Sequence, residues 1–150
     1  MTKKRRDTTL EAEGAEFLVL GHLLTLGVPA YKAYNRNAGH DLVAVNPDVN
    51  ASARIEVKSR WASDAHWNMG TKAVGATDFY VYVRLNQGSG YQGRAAEIRA
   101  PEFYILPEDI AQALPKTGWQ QARLNKLPDI AFYCGRWDLI RDFLALPCQA

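Results

Sequence analysis

The stretch Gly39–Arg60, GHDLVAVNPDVNASARIEVKSR, constrains the fold more than any other part of this chain. It divides into two short segments, Asp41–Asn46 and Ala53–Lys58, separated by Pro47–Ser52, a run of turn formers. The pattern predicts a β-hairpin with a longer loop. Side chains alternate faces along a strand, so Ile55 and Val57 share one face and Arg54, Glu56 and Lys58 the other. Asp41 opens the first strand, just after Gly39 and His40. Antiparallel pairing brings Asp41 beside Glu56 and Lys58, which gathers two carboxylates and one ammonium on one patch. Two hard oxygen ligands with open positions suit Mg²⁺, which takes one or two protein carboxylates and keeps several waters. Lys58 then stands where it polarises a water or meets a phosphate oxygen. Taken alone, Ile55-Glu56-Val57-Lys58 also fits an exposed strand face carrying solvated charges.

The chain around this hairpin is ordinary globular material. It has 150 residues, 47% hydrophobic and 23% charged, which predicts one domain with a respectable core. The expected division is a basic disordered tail over residues 1–7 and a single domain over 8–150. The formal net charge is only +2, so any binding to a polyanion comes from local patches and not from a global field. Lys3, Lys4, Arg5 and Arg6 form the only dense basic run. Cys134 and Cys148 lack metal-ligand spacing and read as buried or inert thiols of a reducing cytosol. The basic start runs into polar and acidic residues, which is no signal peptide, and no apolar run is long enough to span a membrane. The expectation is a cytoplasmic protein with no membrane partner.

In chain order, helix one is expected from about Thr8 to Leu26. Thr8-x-x-Glu11 has the capping-box pattern, and Gly27 followed by Pro29 ends the helix. Glu16, Leu20, Leu23 and Leu24 share a face at helical spacing, with Phe17 at its border. Glu16 therefore projects from a largely apolar side, toward solvent or into a site. Glu11 and Glu13 read as helix-start charges that favour the dipole. A first strand over Ala30–Asn35 and a turn over Asn35–Gly39 lead into the hairpin, and Arg36 in that turn is a phosphate candidate. Beyond Lys58, a stretch with Trp61, Trp67, Arg60, His66 and Lys72 interleaves aromatic and basic residues, which can stack on bases and clamp phosphates or pack a short helix on the sheet. Thr77–Leu85 is the strongest strand and suits a buried central position. A strand at Phe103–Leu106, a helix at Pro107–Leu114, mostly loop from Pro115 to Pro128 and a helix at Trp137–Leu144 complete the order.

Gly39-His40-Asp41 and Ile55-Glu56-Val57-Lys58 together resemble the signature of the PD-(D/E)xK nuclease superfamily, the restriction-endonuclease-like and Holliday-junction-resolvase-like group. Asp41 matches the first acidic position, and Glu56 and Lys58 match the (D/E)xK element. No proline precedes Asp41, a departure from the pattern. Trp67–Lys72 is similar to a Trp-x-Leu/Met-x-x-Lys pattern of some bacterial members. The resemblance implies an α/β fold with a restriction-endonuclease-like core, a mixed central β-sheet flanked by helices. It implies an endonuclease that hydrolyses DNA phosphodiester bonds with Mg²⁺ or Mn²⁺. Asp41 and Glu56, helped by the Val57 carbonyl, would hold the metal; Glu16 of the first helix would add a ligand or a bound water; Lys58 would stabilise the attacking hydroxide or the charged transition state. Arg36, Arg60, Lys72 and the Lys3, Lys4, Arg5 and Arg6 run would contact DNA. A branched junction, a linear duplex and a specific site are all compatible substrates. A homodimer would supply the two sites that cutting both strands needs. The alternative is a catalytically silent DNA-binding or protein-interaction module on the same fold, against which the joint retention of Asp41, Glu56 and Lys58 argues. On either reading Asp41, Glu56 and Glu16 crowd like charges that only Lys58 is expected to offset.

Overall fold

The computed structural model describes residues 7–34, 39–61, 73–88, 98–115 and 124–148, together with the backbone of 67–68 and 121–122. Helix α1 spans Thr8–Thr25. Its N-cap is Asp7, whose carboxylate accepts from Thr9 N at 2.9 Å, so Thr8 lies inside the helix and does not cap it. Gly27, with φ +72, turns the chain out at the other end, and Val28 N donates back to Leu23 O. Ala15, Val19 and Leu23 are the buried face. Leu24 and Phe17, expected beside Leu23, are instead half exposed, because they lie on the opposite side of the helix.

Strand β1 is Ala30–Lys32, shorter than the run to Asn35, and leaves Tyr34 exposed. The hairpin is β2, Leu42–Asn46, and β3, Ala51–Arg60. Its loop is tighter than the six residues the composition suggests. Pro47–Val49 forms a single 3₁₀ turn, and Asn50 reverses the chain at φ 51 and ψ 41, a left-handed conformation that Asn tolerates. Pairing therefore resumes at Asn46↔Ala51. Strand β4, Trp67–Asn68, pairs with β7, Gln121–Ala122, as a separate two-stranded ribbon where a short helix and a loop were expected. Strand β5 is Phe79–Arg84 and β6 is Glu102–Pro107. Helices α2, Glu108–Gln112, and α3, Asp138–Phe143, are short.

The main sheet has the order β1-β2-β3-β5-β6. Only β3 and β5 run parallel, so the sheet is mixed. The β5 strand is central and buried except at Arg84, as its aromatic and β-branched sequence requires. Two cores cover the two faces. Ile55, Val57, Val81 and Val83 pack under α1 with Ile140 and Leu144 of α3. Tyr80, Tyr82 and Tyr104 pack with Leu106, Ala111, Leu114 and Leu124 on the other side. Asn46 ties the hairpin to α3 by donating from Nδ2 to Leu144 O at 2.8 Å. Both cysteines are exposed and unpaired, not buried.

Candidate active site

The hairpin register sets the charged side chains. Leu42 and Ile55 are the last pair of the hairpin, and Asp41, one residue before β2, donates from its N to Ile55 O at 2.9 Å, beside Glu56 in the chain. Gly39, with φ +75, delivers the chain to this position in a conformation that only glycine adopts without strain. Asp41 Oδ2 then accepts from Val57 N at 2.7 Å. Glu56 and Lys58 alternate away from the α1 core, and Lys58 Nζ lies 2.6 Å from Glu56 Oε1. Glu56 is 3% exposed, and a carboxylate so buried requires a charged or hydrogen-bonded partner. On β5, Tyr80 and Tyr82 stand beside Glu56 and Lys58, fully buried and stacked 6.2 Å apart. Burial, then Tyr80 and Glu56, hold the Tyr82 phenol well above its usual range, so it stays protonated.

Helix α1 forms the facing wall. A cavity of about 410 Å³ is bordered by Thr8, Glu11, Ala12 and Glu16 of α1, by Asp41, and by residues 56–60 of β3. Glu16, Asp41, Glu56, Lys58 and Arg60 thus border one space. Glu11 borders it too, although its position in the first turn suggested a dipole role alone. The signal was present in the sequence: Thr8, Ala12 and Glu16 repeat every four residues, and Glu11 flanks that row.

Glu16 does not join the other two carboxylates. Lys32 Nζ lies 2.9 Å from Glu16 Oε2 and also contacts Glu13 Oε1. The Lys32 side chain is 5% exposed, and the Phe17 and Tyr34 rings lie 4.4 and 5.6 Å from its ammonium. Burial works to lower its pKa, and the hydrogen bonds to Glu13 and Glu16 outweigh that, leaving it above the usual value. Lys32 pairs with Leu42 and so faces the α1 side of the sheet, whereas Glu56, next to Ile55 on β3, belongs to the other strand face. Among the described residues no group of three or more His, Cys, Asp and Glu is placed to hold one metal ion. The expected crowding of like charges is also relieved, since Lys32 pairs Glu16, Lys58 pairs Glu56 and the Val57 N–H meets Asp41.

Four carboxylates and two cations border the cavity, so its field draws in a cation and opposes a phosphate until neutralised. The donors are hard oxygens, and Asp41 and Glu56 on one cavity suit a Mg²⁺-like ion that uses two carboxylates and retains water. Arg60 is pushed below its usual pKa by burial, with Glu11 opposing the shift, and a guanidinium keeps its charge at neutral pH. Arg36, Lys72 and Lys3, Lys4, Arg5 and Arg6 lie outside the described residues.

No family model matches the chain, and no curated protein matches it in sequence. Among solved structures it is similar to a bacterial homing endonuclease, with a TM-score of 0.60 at 18% identity over 93% of this chain and 97% of that one. The fold is nuclease-like. At this identity the likeness is one of architecture: the mixed five-stranded sheet and its flanking helices.

Proposed function

We propose that this protein is a Mg²⁺- or Mn²⁺-dependent DNA endonuclease of the PD-(D/E)xK type. The observation that carries the reading is the convergence of Asp41, Glu56 and Lys58 at one cavity, on a fold shared with a homing endonuclease. Asp41 and Glu56 would hold the metal, and Glu16 on the facing wall would orient a water. The bound ion would supply Lewis acidity and lower the pKa of a coordinated water. Lys58, whose ammonium pairs with Glu56 and which borders the same cavity, would stabilise negative charge developing on a phosphate oxygen. Arg60, which borders the cavity, would hold a neighbouring phosphate, and the negative charge of Glu11 favours its charged form. A cytoplasmic location would fit such chemistry.

The test is cleavage of a panel of linear, nicked and branched DNA with Mg²⁺, Mn²⁺ or chelator. The reading expects cutting that needs the metal and disappears in Asp41→Asn and Glu56→Gln. Metal-independent cutting, or equal rates in the folded variants, overturns it. Tight DNA binding without any cutting would make the chain a silent module on the same fold.

A further inference from the structure

Four carboxylates and two cations border the cavity, so its own field opposes a phosphate, and the charges that draw in a DNA strand have to lie beside it. Such charges line one end of the sheet. Arg60 is the last residue of β3 and Arg84 the last of β5, and the parallel register pairs them. One strand further, Arg84 pairs with Glu102, the first residue of β6. Alternation puts this row on the strand face of Lys58, Tyr82 and Tyr104, and the Arg84 guanidinium lies 5.6 Å from the Tyr104 ring. Arg60 borders the cavity, so the row starts at the candidate active site and leads away from it.

The charges of the row do not balance. Arg84 Nη1 lies 3.4 Å from Glu102 Oε2, and Arg99 Nη2 lies 3.4 Å from Glu102 Oε1. Two guanidinium groups thus share one carboxylate, one oxygen each, and Arg60 adds a third positive charge one strand away, about 4.8 Å across the sheet. The Glu11 carboxylate, which acts on Arg60, belongs to α1. Arg54 and Arg136 show the contrast. Arg54 reaches Asp78 at 3.0 Å through both Nε and Nη2, and Arg136 reaches Asp138 at 2.8 Å through the same two atoms. Such a fork is the strong form of the pair, and a single contact at 3.4 Å is a weak one. The Arg84, Arg99 and Glu102 side chains are 22%, 50% and 28% exposed, so an incoming anion reaches all three.

The span suits a nucleic-acid backbone. From β3 to β6 the row crosses two strand spacings, about 10 Å. A duplex advances about 3.4 Å per nucleotide of one strand, so the row matches about three phosphates. We propose that Arg60, Arg84 and Arg99 form a track for consecutive phosphates of a DNA strand that enters the cavity, with Glu102 holding Arg84 and Arg99 as a stand-in anion until phosphate replaces it. DNA as the ligand rests on the nuclease reading, so the test measures binding and leaves cleavage out.

Binding of the full chain to a linear DNA duplex is followed in chelator across a salt series. Wild type should bind, and Arg84→Gln and Arg99→Gln, with unchanged circular dichroism, should each lower the slope of log K against log salt by about 0.9. Glu102→Gln should act in the opposite sense and tighten binding roughly two- to fivefold, the worth of a partly exposed ion pair. In a chain that already carries Arg84→Gln and Arg99→Gln, that gain should vanish, because the carboxylate then has no arginine to occupy. Should Arg84→Gln fail to fold, the half-exposed Arg99→Gln decides the slope. A wild type that binds no duplex, an unchanged slope in folded Arg99→Gln, or a Glu102→Gln chain that binds no tighter overturns the track. Metal-dependent cutting by a wild type whose Arg99→Gln slope is unchanged would sink the track and leave the nuclease reading standing. The expected slope changes in a chain that never cuts would do the reverse.

Discussion

Asp41 Oδ2 accepts a hydrogen bond from Val57 N at 2.7 Å, so the side chain before β2 is fastened to the backbone between Glu56 and Lys58. This bond sets the position of the first acidic residue against the other two. Asparagine keeps an oxygen that accepts from Val57 N, and alanine does not. Asp41→Asn should therefore abolish metal-dependent cleavage and melt close to wild type in chelator. Asp41→Ala should lose a hydrogen bond to a charged acceptor, worth about 1.5–3 kcal/mol, and melt several degrees lower. Thermal melts of the three proteins in chelator decide it, and equal melting of the two variants would show that the bond contributes nothing.

The Glu56–Lys58 pair should separate stability from activity. Lys58→Met leaves the Glu56 carboxylate, whose side chain is 4% exposed, without its ammonium partner and should cost about 3 kcal/mol. Adding Glu56→Gln to Lys58→Met removes the charge left behind, and the double variant should melt above the single one. Cleavage should fall about a hundredfold or more in Lys58→Met, equivalent to about 2.7 kcal/mol, while Mg²⁺ still binds. Metal titration beside a rate measurement checks this. Loss of metal binding together with rate would mean that Lys58 shapes the site instead.

Acid sensitivity should trace to Asp78. Its carboxylate takes Arg54 Nε at 3.0 Å, Arg54 Nη2 at 3.0 Å and the Arg54 N–H at 2.7 Å, which fastens the start of β5 to β3. Burial works to raise the Asp78 pKa, and the Arg54 contacts together outweigh it, so the folded value lies below the usual one. A depressed carboxylate contributes stability that is complete above the unfolded pKa, about 3.9, and fades as pH falls through the folded value. Wild type should lose stability below about pH 4 more steeply than Asp78→Asn, which should melt lower at pH 7. Parallel acid limbs in urea titrations at a series of pH values would remove Asp78 from that role.

DNA affinity should depend on salt through named cations. Each phosphate contact contributes about 0.9 to the slope of log K against log salt. Arg60→Gln should lower that slope by about one contact, and removal of Lys3, Lys4, Arg5 and Arg6 should flatten it further. Neither change should alter metal affinity. Binding isotherms across a salt series measure the slope, and an unchanged slope would reduce these residues to solvated charges.

Much of this molecule was legible because local pattern and global fold agree. The hairpin followed from alternation and turn chemistry, and its pairing of Leu42 with Ile55 brings Asp41 to the backbone of Ile55 and Val57, on either side of Glu56. The Thr77–Leu85 run became the central β5 strand because its residues suit burial on both faces. Less legible were the ends of elements. The cap moved to Asp7 because a carboxylate there reaches Thr9 N, and β1 stopped at Lys32.

What the sequence determined by itself was every feature that depends on neighbours along the chain or across one turn: the helix, the hairpin and the pairing of Glu56 with Lys58 on one strand face. What only the tertiary structure decided was which distant groups meet. Lys32 reads as a strand residue and becomes the partner of Glu16, because β1 packs its inner side against α1. Glu11 reads as a helix-start charge and becomes part of the cavity wall. Leu24 and Phe17 read as core and face outward, because the sheet can cover only one side of α1. Spacing along a chain sets direction around a helix or strand, and docking alone decides what lies in that direction.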